Sequence, residues 1–159
     1  MITKNTLIMD QHFRRVEELF NPITYSKLEQ LCKIFGGVNR PMSRNSFLAK
    51  LPEADFVVAA KPELNRLELD CAPKLKAIIE VSGTFQTGLD YDTCFERGIE
   101  VLSCAPGFQH SVAEMALGLI IAGCRGIIDE HERFRSGSER WLSDNIESDF
   151  SLFGQTIGF

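Results

Sequence analysis

Four short apolar runs constrain the fold of this chain more than any other feature of its sequence. They are rich in β-branched residues and nearly continuous in hydrophobicity, and they cover Thr6–Met9, Phe56–Ala60, Lys76–Val81 and Ile99–Ser103. Strands that are buried on both faces have this pattern, which is typical of a parallel sheet with helices packed above and below. The runs therefore predict an α/β fold.

Helical patterns lie between the strand patterns. Apolar residues recur at helical spacing at Phe13, Val16 and Phe20, and again at Leu28, Leu31, Cys32 and Phe35. The second of these helices is predicted to begin at a capping box of Ser26 and Glu29 and to stop at Gly36. Ser46–Leu51 and Tyr91–Arg97 are compatible with short connecting helices.

The longest helical pattern runs from Ser111 to about Arg135. Ser111 and Glu114 have the form of a capping box at its start. Its first half is apolar all round and its second half is highly charged, so the helix is expected to begin buried and end in solvent. Leu152–Phe159 then begins like a further strand.

Composition narrows the classes of partner. The chain has 159 residues, of which 44% are hydrophobic, and a formal net charge of -5 without a basic stripe, which argues against a nucleic-acid partner. The apolar run at the N-terminus is too short for a signal peptide or a membrane span, so a cytoplasmic location without membrane contact is expected. The five cysteines include no Cys-x-x-Cys pair, which favours reduced thiols and no metal site.

The candidate ligand site lies at the carboxyl ends of the predicted strands, where open parallel sheets bind ligands. Gly83, flanked by Ser82 and Thr84, can present backbone amides and hydroxyl oxygens to a small anion such as a carboxylate. A plain strand-to-helix turn is the alternative. Lys61 ends the preceding strand and can offer a positive charge to an acidic substrate, although a solvated lysine needs no such role.

The usual signatures of catalysis are missing from the sequence. It contains no Gly-x-Gly-x-x-Gly, phosphate loop or nucleophile elbow. Cys104 has no base placed by the sequence to activate it, which favours a small buried side chain over a nucleophile.

A series of short motifs points to a family. The motifs are Pro73–Ile79, Ser82–Thr84, Glu96–Val101, Ala105–Gly107, Ser111–Leu119, Phe134–Trp141 and Leu152–Gly158. In this order and spacing they resemble the D-isomer-specific 2-hydroxyacid dehydrogenases, which interconvert 2-hydroxyacids and 2-oxoacids with NAD or NADP. The resemblance implies a chain that is cut off before the glycine-rich nucleotide loop and the catalytic residues, and that is inactive by itself.

The same resemblance implies a domain organisation. Residues 1–105 would form most of a flavodoxin-like substrate domain, and residues 106–159 the long interdomain helix and the first strand of a truncated NAD-binding domain. Family members form homodimers through the region of that helix, so a homodimer is expected for the full-length protein.

The resemblance also implies roles for individual residues. The amides of Ser82, Gly83 and Thr84 would bind the substrate carboxylate, and Thr84, Phe108 and Val112 would approach the nicotinamide. The sequence departs from the family where Phe85 replaces a second glycine, which would narrow the pocket or reshape the loop. A non-catalytic flavodoxin-like module that binds a small anion or mediates dimerisation is the alternative function.

Overall fold

The computed structural model describes residues 4–12, 14–36, 39–141 and 150–158. It divides into two compact units, a first unit that ends at Gly107 and a second unit that begins at Phe108. Residue 105 was the predicted boundary between the substrate domain and the interdomain region.

A parallel sheet forms the centre of the first unit. Its strands are β1 (Asn5–Asp10), β2 (Cys32–Gly36), β3 (Phe56–Ala59), β4 (Ala77–Glu80) and β5 (Glu100–Ser103). They follow the spatial order β2-β1-β3-β4-β5, and every neighbouring pair is parallel. This is the strand order of flavodoxin-like folds, so the predicted α/β class and parallel sheet are confirmed.

Five helices connect the strands of the first unit. They are α1 (Val16–Leu19), α2 (Pro22–Leu31), α3 (Arg44–Lys50), α4 (Arg66–Asp70) and α5 (Tyr91–Glu96). Short 3-10 turns cover Leu51–Glu53 and Ala105–Gly107. Polar side chains accept hydrogen bonds from backbone amides at the starts of four helices, as this class of residue does at N-caps. These capping residues are Asn21, Ser43, Asn65 and Asp90.

The sheet has a buried core on each face because successive strand residues point to opposite sides. Ile8, Val57 and Ile78 are buried in one cluster. Met9 and Val58, each next to one of these residues in the chain, are buried in the other cluster. Burial on both faces explains why the strands read as nearly continuous apolar runs.

The second strand corrects the prediction for residues 26–36. The helix begins at Pro22 under the Asn21 cap, so the capping box predicted at Ser26 is wrong. It ends at Leu31, and Cys32–Gly36 is a strand in register with β1 rather than the end of that helix. Over so few residues, the spacing of apolar residues is compatible with both a helix and a strand. Hydrogen bonding to β1 decides in favour of the strand.

Other parts of the helix prediction had mixed outcomes. The helices expected within Ser46–Leu51 and Tyr91–Arg97 are present as α3 and α5. Val16 begins the single turn of α1, while Phe13 lies outside the described residues. Helix α4 was not predicted, since its five residues are too short to show a periodic pattern.

Two helices replace the single long helix predicted in the second unit. They are α6 (Gln109–Cys124) and α7 (Ile127–Ser136), with a bend of 58° between them. Gly126 separates them with a left-handed φ of 57°, which an α-helix cannot continue through. The start also differs from the predicted capping box, because Phe108 is the N-cap and the Ser111 hydroxyl donates to its carbonyl oxygen over 3.0 Å.

Helix α6, which corresponds to the apolar first half of the predicted long helix, is largely exposed, and this contradicts the expected burial of that half. None of the described residues of the second unit is buried, so nothing within this unit covers the helix. No single described helix is long and apolar enough to cross a membrane; α6 and α7 meet the length and composition test only as a bent pair. The strand expected at Leu152–Phe159 does not form in residues 150–158, and Phe159 lies outside the described residues.

Candidate functional site

The carboxyl edge of the sheet brings together the loops that follow β1, β3 and β4. β2 lies on one side of β1, and β3, β4 and β5 lie on the other side. The order in which strands are added to the sheet therefore changes direction at the boundary between β1 and β3. Open parallel sheets bind ligands beside such a switch point. Lys61 follows β3 and Ser82 follows its neighbour β4, so both stand at this edge.

The loop from Ser82 to Gln86, called the substrate loop below, is held by its own side chains. The hydroxyl oxygens of Ser82 and Thr84 lie 3.2 Å apart, and Gln86 Nε2 donates to them over 3.1 and 2.9 Å respectively. Tyr91 Oη donates to the Gln86 carbonyl oxygen over 2.7 Å, which ties the loop to the start of α5. The loop is therefore ordered by side-chain hydrogen bonds in addition to its backbone.

Glu80, the last residue of β4, accepts hydrogen bonds from two of the backbone amides that were predicted to bind the substrate carboxylate. Its side chain is almost fully buried, with an exposed fraction of 1%. One carboxylate oxygen accepts the Ser82 amide hydrogen bond, and the other accepts that of Gly83 over 2.8 Å. The structure thus places an internal anion on the first two amides of the predicted carboxylate site.

The next two amides of the loop have no protein acceptor. No hydrogen bond from the amide of Thr84 or Phe85 is found in the described part of the chain, and both residues are exposed. Gly83, with a φ of 93°, turns the backbone between the two pairs of amides. The Thr84 and Phe85 amides are therefore exposed donors of this loop that no described residue accepts from.

Phe85 is a fixed part of this surface. Its ring meets Tyr91 edge to face, with ring centroids 6.2 Å apart, while 65% of the residue stays exposed. Edge-to-face packing of aromatic rings is favourable and restrains the side chain. Phe85 thus adds an exposed apolar ring to the surface of the substrate loop, and the narrowing of the pocket expected from the sequence stays a prediction.

The charge of Glu80 acts on its neighbours. Burial raises the pKa of the Cys104 thiol, and the nearby Glu80 carboxylate raises it further. The pKa of Tyr91 is raised by burial first, and then by the negative charges that Cys94 and Glu80 place near it. Cys104 therefore stays a protonated thiol at neutral pH, which agrees with a packing role rather than a nucleophilic one.

The remaining predicted site residues stand apart from the substrate loop or in the other unit. Lys61 is exposed at the same edge, and its side chain forms no hydrogen bond or ion pair within the described residues. Phe108 and Val112 lie in the second unit at the start of α6, where the Val112 amide donates to the Phe108 carbonyl oxygen over 3.0 Å. Their predicted approach to a nicotinamide stays a prediction.

Three residues that shape the site were missed from the sequence. Glu80 is the clearest, because an acidic residue at the end of an otherwise apolar strand is a signal that can be read without a structure. Gln86 and Tyr91 gave no comparable signal, since their role depends on how the loop folds back on itself.

Fold and site together define a class: an α/β domain of flavodoxin-like strand order, with a loop after its fourth strand whose first amides bind the buried Glu80 carboxylate. Residues 19–156 match the model for the catalytic domain of the D-isomer specific 2-hydroxyacid dehydrogenases. The chain belongs to that family.

Individual relatives agree with this assignment. A D-3-phosphoglycerate dehydrogenase of Mycobacterium leprae is 33% identical over 116 residues, which are 72% of this chain and 21% of the relative. The crystal structure of a phosphoglycerate oxidoreductase from Rhizobium etli matches with a TM-score of 0.65 and 25% identity, over 94% of this chain and 45% of that one. The chain thus spans about a fifth of the length of the first curated relative and under half of that solved chain.

A D-lactate dehydrogenase from Aquifex aeolicus, solved with NAD and lactic acid, has the same fold. It matches with a TM-score of 0.58 and 22% identity, over 91% of this chain and 40% of that chain.

Proposed function

We propose that the full-length protein carrying this chain is an NAD(P)-dependent oxidoreductase that interconverts a D-2-hydroxyacid and a 2-oxoacid, and that this chain supplies the site for the substrate carboxylate. The observation that supports this most is the pair of free, adjacent amides at Thr84 and Phe85, in a loop fixed by Glu80, Gln86 and Tyr91. Successive backbone amides can form a concave site for an anion.

The neighbouring residues suit a small anionic substrate. Lys61, exposed on the adjacent loop, adds a positive charge to the edge where the carboxylate is received. The ring of Phe85 offers an apolar wall beside the same amide. Binding through two backbone donors fixes the orientation of the substrate, which is a prerequisite for reaction at its second carbon.

The cofactor would be NAD or NADP, which family members use. Thr84 is exposed beside the proposed carboxylate site. Contacts of Thr84, and of Phe108 and Val112 at the start of α6, with a nicotinamide are part of this proposal because the family resemblance implies them. When bound, the nicotinamide supplies or accepts the hydride. The part of the reaction that this chain performs is to bind and orient the substrate.

The test is an assay of the full-length protein for oxidation of NADH or NADPH with a panel of 2-oxoacids. Gly83→Ala is the informative variant, because a φ of 93° is strained for any residue with a Cβ atom. We expect an increase in KM of about tenfold with little change in the Kd for NADH, as the turn that aims the Thr84 and Phe85 amides is lost.

Gly98→Ala is the matched control for that experiment. Gly98 also has a positive φ, of 66°, and nothing lies within 4 Å of the Cβ atom that the substitution adds. It destabilises the backbone in a similar way but lies in the turn after α5, so its KM should stay within about twofold of the wild-type value. No activity with any 2-oxoacid would contradict the proposed function.

We also propose that the full-length protein is a homodimer through α6. Large apolar residues of that helix are exposed, including Met115, Leu117 and Leu119 with exposed fractions of 65%, 54% and 63%. Exposed apolar surface of this kind marks an interaction site. Light scattering of the full-length protein should give a dimer that Leu119→Glu dissociates, and a wild-type monomer would contradict the proposal.

The same surface supports the second candidate function, a dimerisation module without catalysis. A dimer that shows no 2-oxoacid reduction with either cofactor would favour it.

A further inference from the structure

Glu80 carries a buried negative charge that no cation of the described chain neutralises. Its exposed fraction is 1%, and no lysine or arginine among the described residues forms an ion pair with it. Burying a carboxylate is unfavourable unless hydrogen bonds or a counter-ion compensate it. Here the compensation comes from the amides of Ser82 and Gly83, so the charge itself remains in place beneath the substrate loop.

This charge lies close to the position proposed for the substrate carboxylate. A Glu80 carboxylate oxygen is 2.8 Å from the Gly83 amide nitrogen, and the free amides of Thr84 and Phe85 follow directly. At 3.8 Å between successive Cα atoms, an anion on those amides lies within roughly 10 Å of Glu80. That separation is about one Debye length at 0.1 M ionic strength, and burial weakens the screening further.

We propose that Glu80 is a specificity-determining residue: it holds the substrate loop through the Ser82 and Gly83 amides and disfavours substrates that carry a second negative charge. This inference rests on the proposed function. Every 2-oxoacid brings one carboxylate to the Thr84 and Phe85 amides, so Glu80 affects all of them alike through that group. A second anionic group on the substrate adds a further repulsion that singly charged substrates do not experience.

The proposed role of Glu80 predicts a substrate preference that differs from that of a phosphoglycerate dehydrogenase. Those relatives share the family and about a third of the aligned residues. Phosphoglycerate carries a phosphate in addition to its carboxylate, so the buried Glu80 charge would repel it more strongly than it repels a singly charged 2-oxoacid. We therefore expect this protein to prefer a singly charged 2-oxoacid, despite the names of its relatives.

The experiment uses the full-length protein and two 2-oxoacids of equal chain length. 2-Oxopentanoate carries one negative charge, and 2-oxoglutarate carries two. The readout is the ratio of kcat/KM for 2-oxoglutarate to kcat/KM for 2-oxopentanoate. Glu80→Gln removes the charge with almost no change in side-chain size, and we expect it to raise this ratio about tenfold, with a smaller increase at high salt.

Glu100→Gln is the matched control. Glu100 begins β5 and pairs with Ala77, so it lies at the opposite end of the sheet from the substrate loop, and it is exposed. The substitution makes the same change in net charge, but the ratio should stay within about twofold of the wild-type value. An unchanged ratio in Glu80→Gln, or an equal rise in both variants, would overturn the role of Glu80.

A second measurement needs no substitution, in case Glu80→Gln does not fold. Hydrogen exchange of the wild-type full-length protein, resolved by residue, should show the Ser82 and Gly83 amides exchanging at least about tenfold more slowly than those of Thr84 and Phe85. Equal exchange of all four amides would overturn the proposal. Wild-type protein inactive on every 2-oxoacid would overturn the proposed function and the specificity role together, whereas activity with an unchanged ratio would overturn only the latter.

Discussion

The two units of this chain differ in whether their apolar residues are buried. The first unit buries its apolar strands in a core on each face of the sheet. The second unit contains the apolar helix α6, but none of its described residues is buried. An apolar pattern thus indicates that a surface will be covered, while the partner that covers it has to come from the rest of the fold or from another chain.

The largest expected difference between the two units is the loss of stability when an apolar side chain is truncated to alanine. Ile78 is fully buried in the central part of the sheet, so Ile78→Ala should lower the free energy of unfolding of the first unit by about 2–5 kcal/mol. Leu119 has an exposed fraction of 63% in this chain, where Leu119→Ala would change stability by no more than about 0.5 kcal/mol; the proposed dimer covers Leu119, so a larger loss is expected in the full-length protein. Denaturant unfolding of the full-length variants measures both changes.

The Leu119 result also sharpens the comparison. A loss in Leu119→Ala that approaches the loss in Ile78→Ala would show that α6 is covered in the full-length protein. In that case the contrast between the units would belong to the isolated chain alone, and the proposed dimer would gain support.

A smaller effect is expected from the arginine that joins α5 to α4 in the first unit. Arg97 donates to the carbonyl oxygens of Leu69 and Ala72, the latter over 2.7 Å. Hydrogen bonds from a charged donor contribute about 1.5–3 kcal/mol, so Arg97→Met should destabilise the unit by about that amount. Urea unfolding curves at constant pH are the measurement.

Arg66→Met is the control for Arg97. The ion pair of Arg66 with Glu96 is exposed on both side chains, at 62% and 58%, and such pairs contribute about 0–1 kcal/mol. If the two arginine variants lose equal stability, the hydrogen bonds of Arg97 to the backbone are not what joins α4 and α5.

The smallest expected effect is on how the free energy of unfolding changes with pH in acid. Burial raises the pKa of Asp55, but hydrogen bonds from Lys76 and from the Thr6 amide outweigh it and hold the pKa below its usual value. A carboxylate with a lowered pKa in the folded state stabilises the fold at pH values above its unfolded pKa of about 4, and this contribution is lost as the pH falls through the folded pKa.

Asp55→Asn tests that assignment. We expect it to lower stability at pH 7 by about 1 kcal/mol and to flatten the dependence of unfolding free energy on pH below about 4. Asp92→Asn, in the first turn of α5, is a control at a carboxylate away from this contact. An acid limb that is as steep in Asp55→Asn as in the wild type would contradict the role of Asp55.

Much of the fold could be read from the sequence because its strands are buried on both faces. β1, β3, β4 and β5 stand out as apolar runs between polar segments. β2 did not, because Cys32–Gly36 follows a helix without a turn residue and its pairing with the distant β1 leaves no local pattern. The bend at Gly126 was missed because glycine within a helical pattern is compatible with both a continuous and a broken helix.

The sequence predicted which loop forms the candidate site, but not which backbone amides of that loop are unpaired. The carboxyl ends of parallel strands and the Ser82-Gly83-Thr84 sequence located the loop. Which amides remain free depends on Glu80 folding back onto its own loop, a contact that side-chain spacing does not specify. Because of that contact, the proposed carboxylate site keeps the Thr84 amide, loses the amides of Ser82 and Gly83, and gains that of Phe85.

A crystal structure of the full-length protein with the 2-oxoacid analogue oxamate would test most directly where the substrate carboxylate binds. We predict its carboxylate oxygens within about 3.2 Å of the Thr84 and Phe85 amide nitrogens, with Glu80 still bound to the amides of Ser82 and Gly83. A carboxylate bound away from the substrate loop, or on the Ser82 and Gly83 amides with Glu80 displaced, would contradict this assignment.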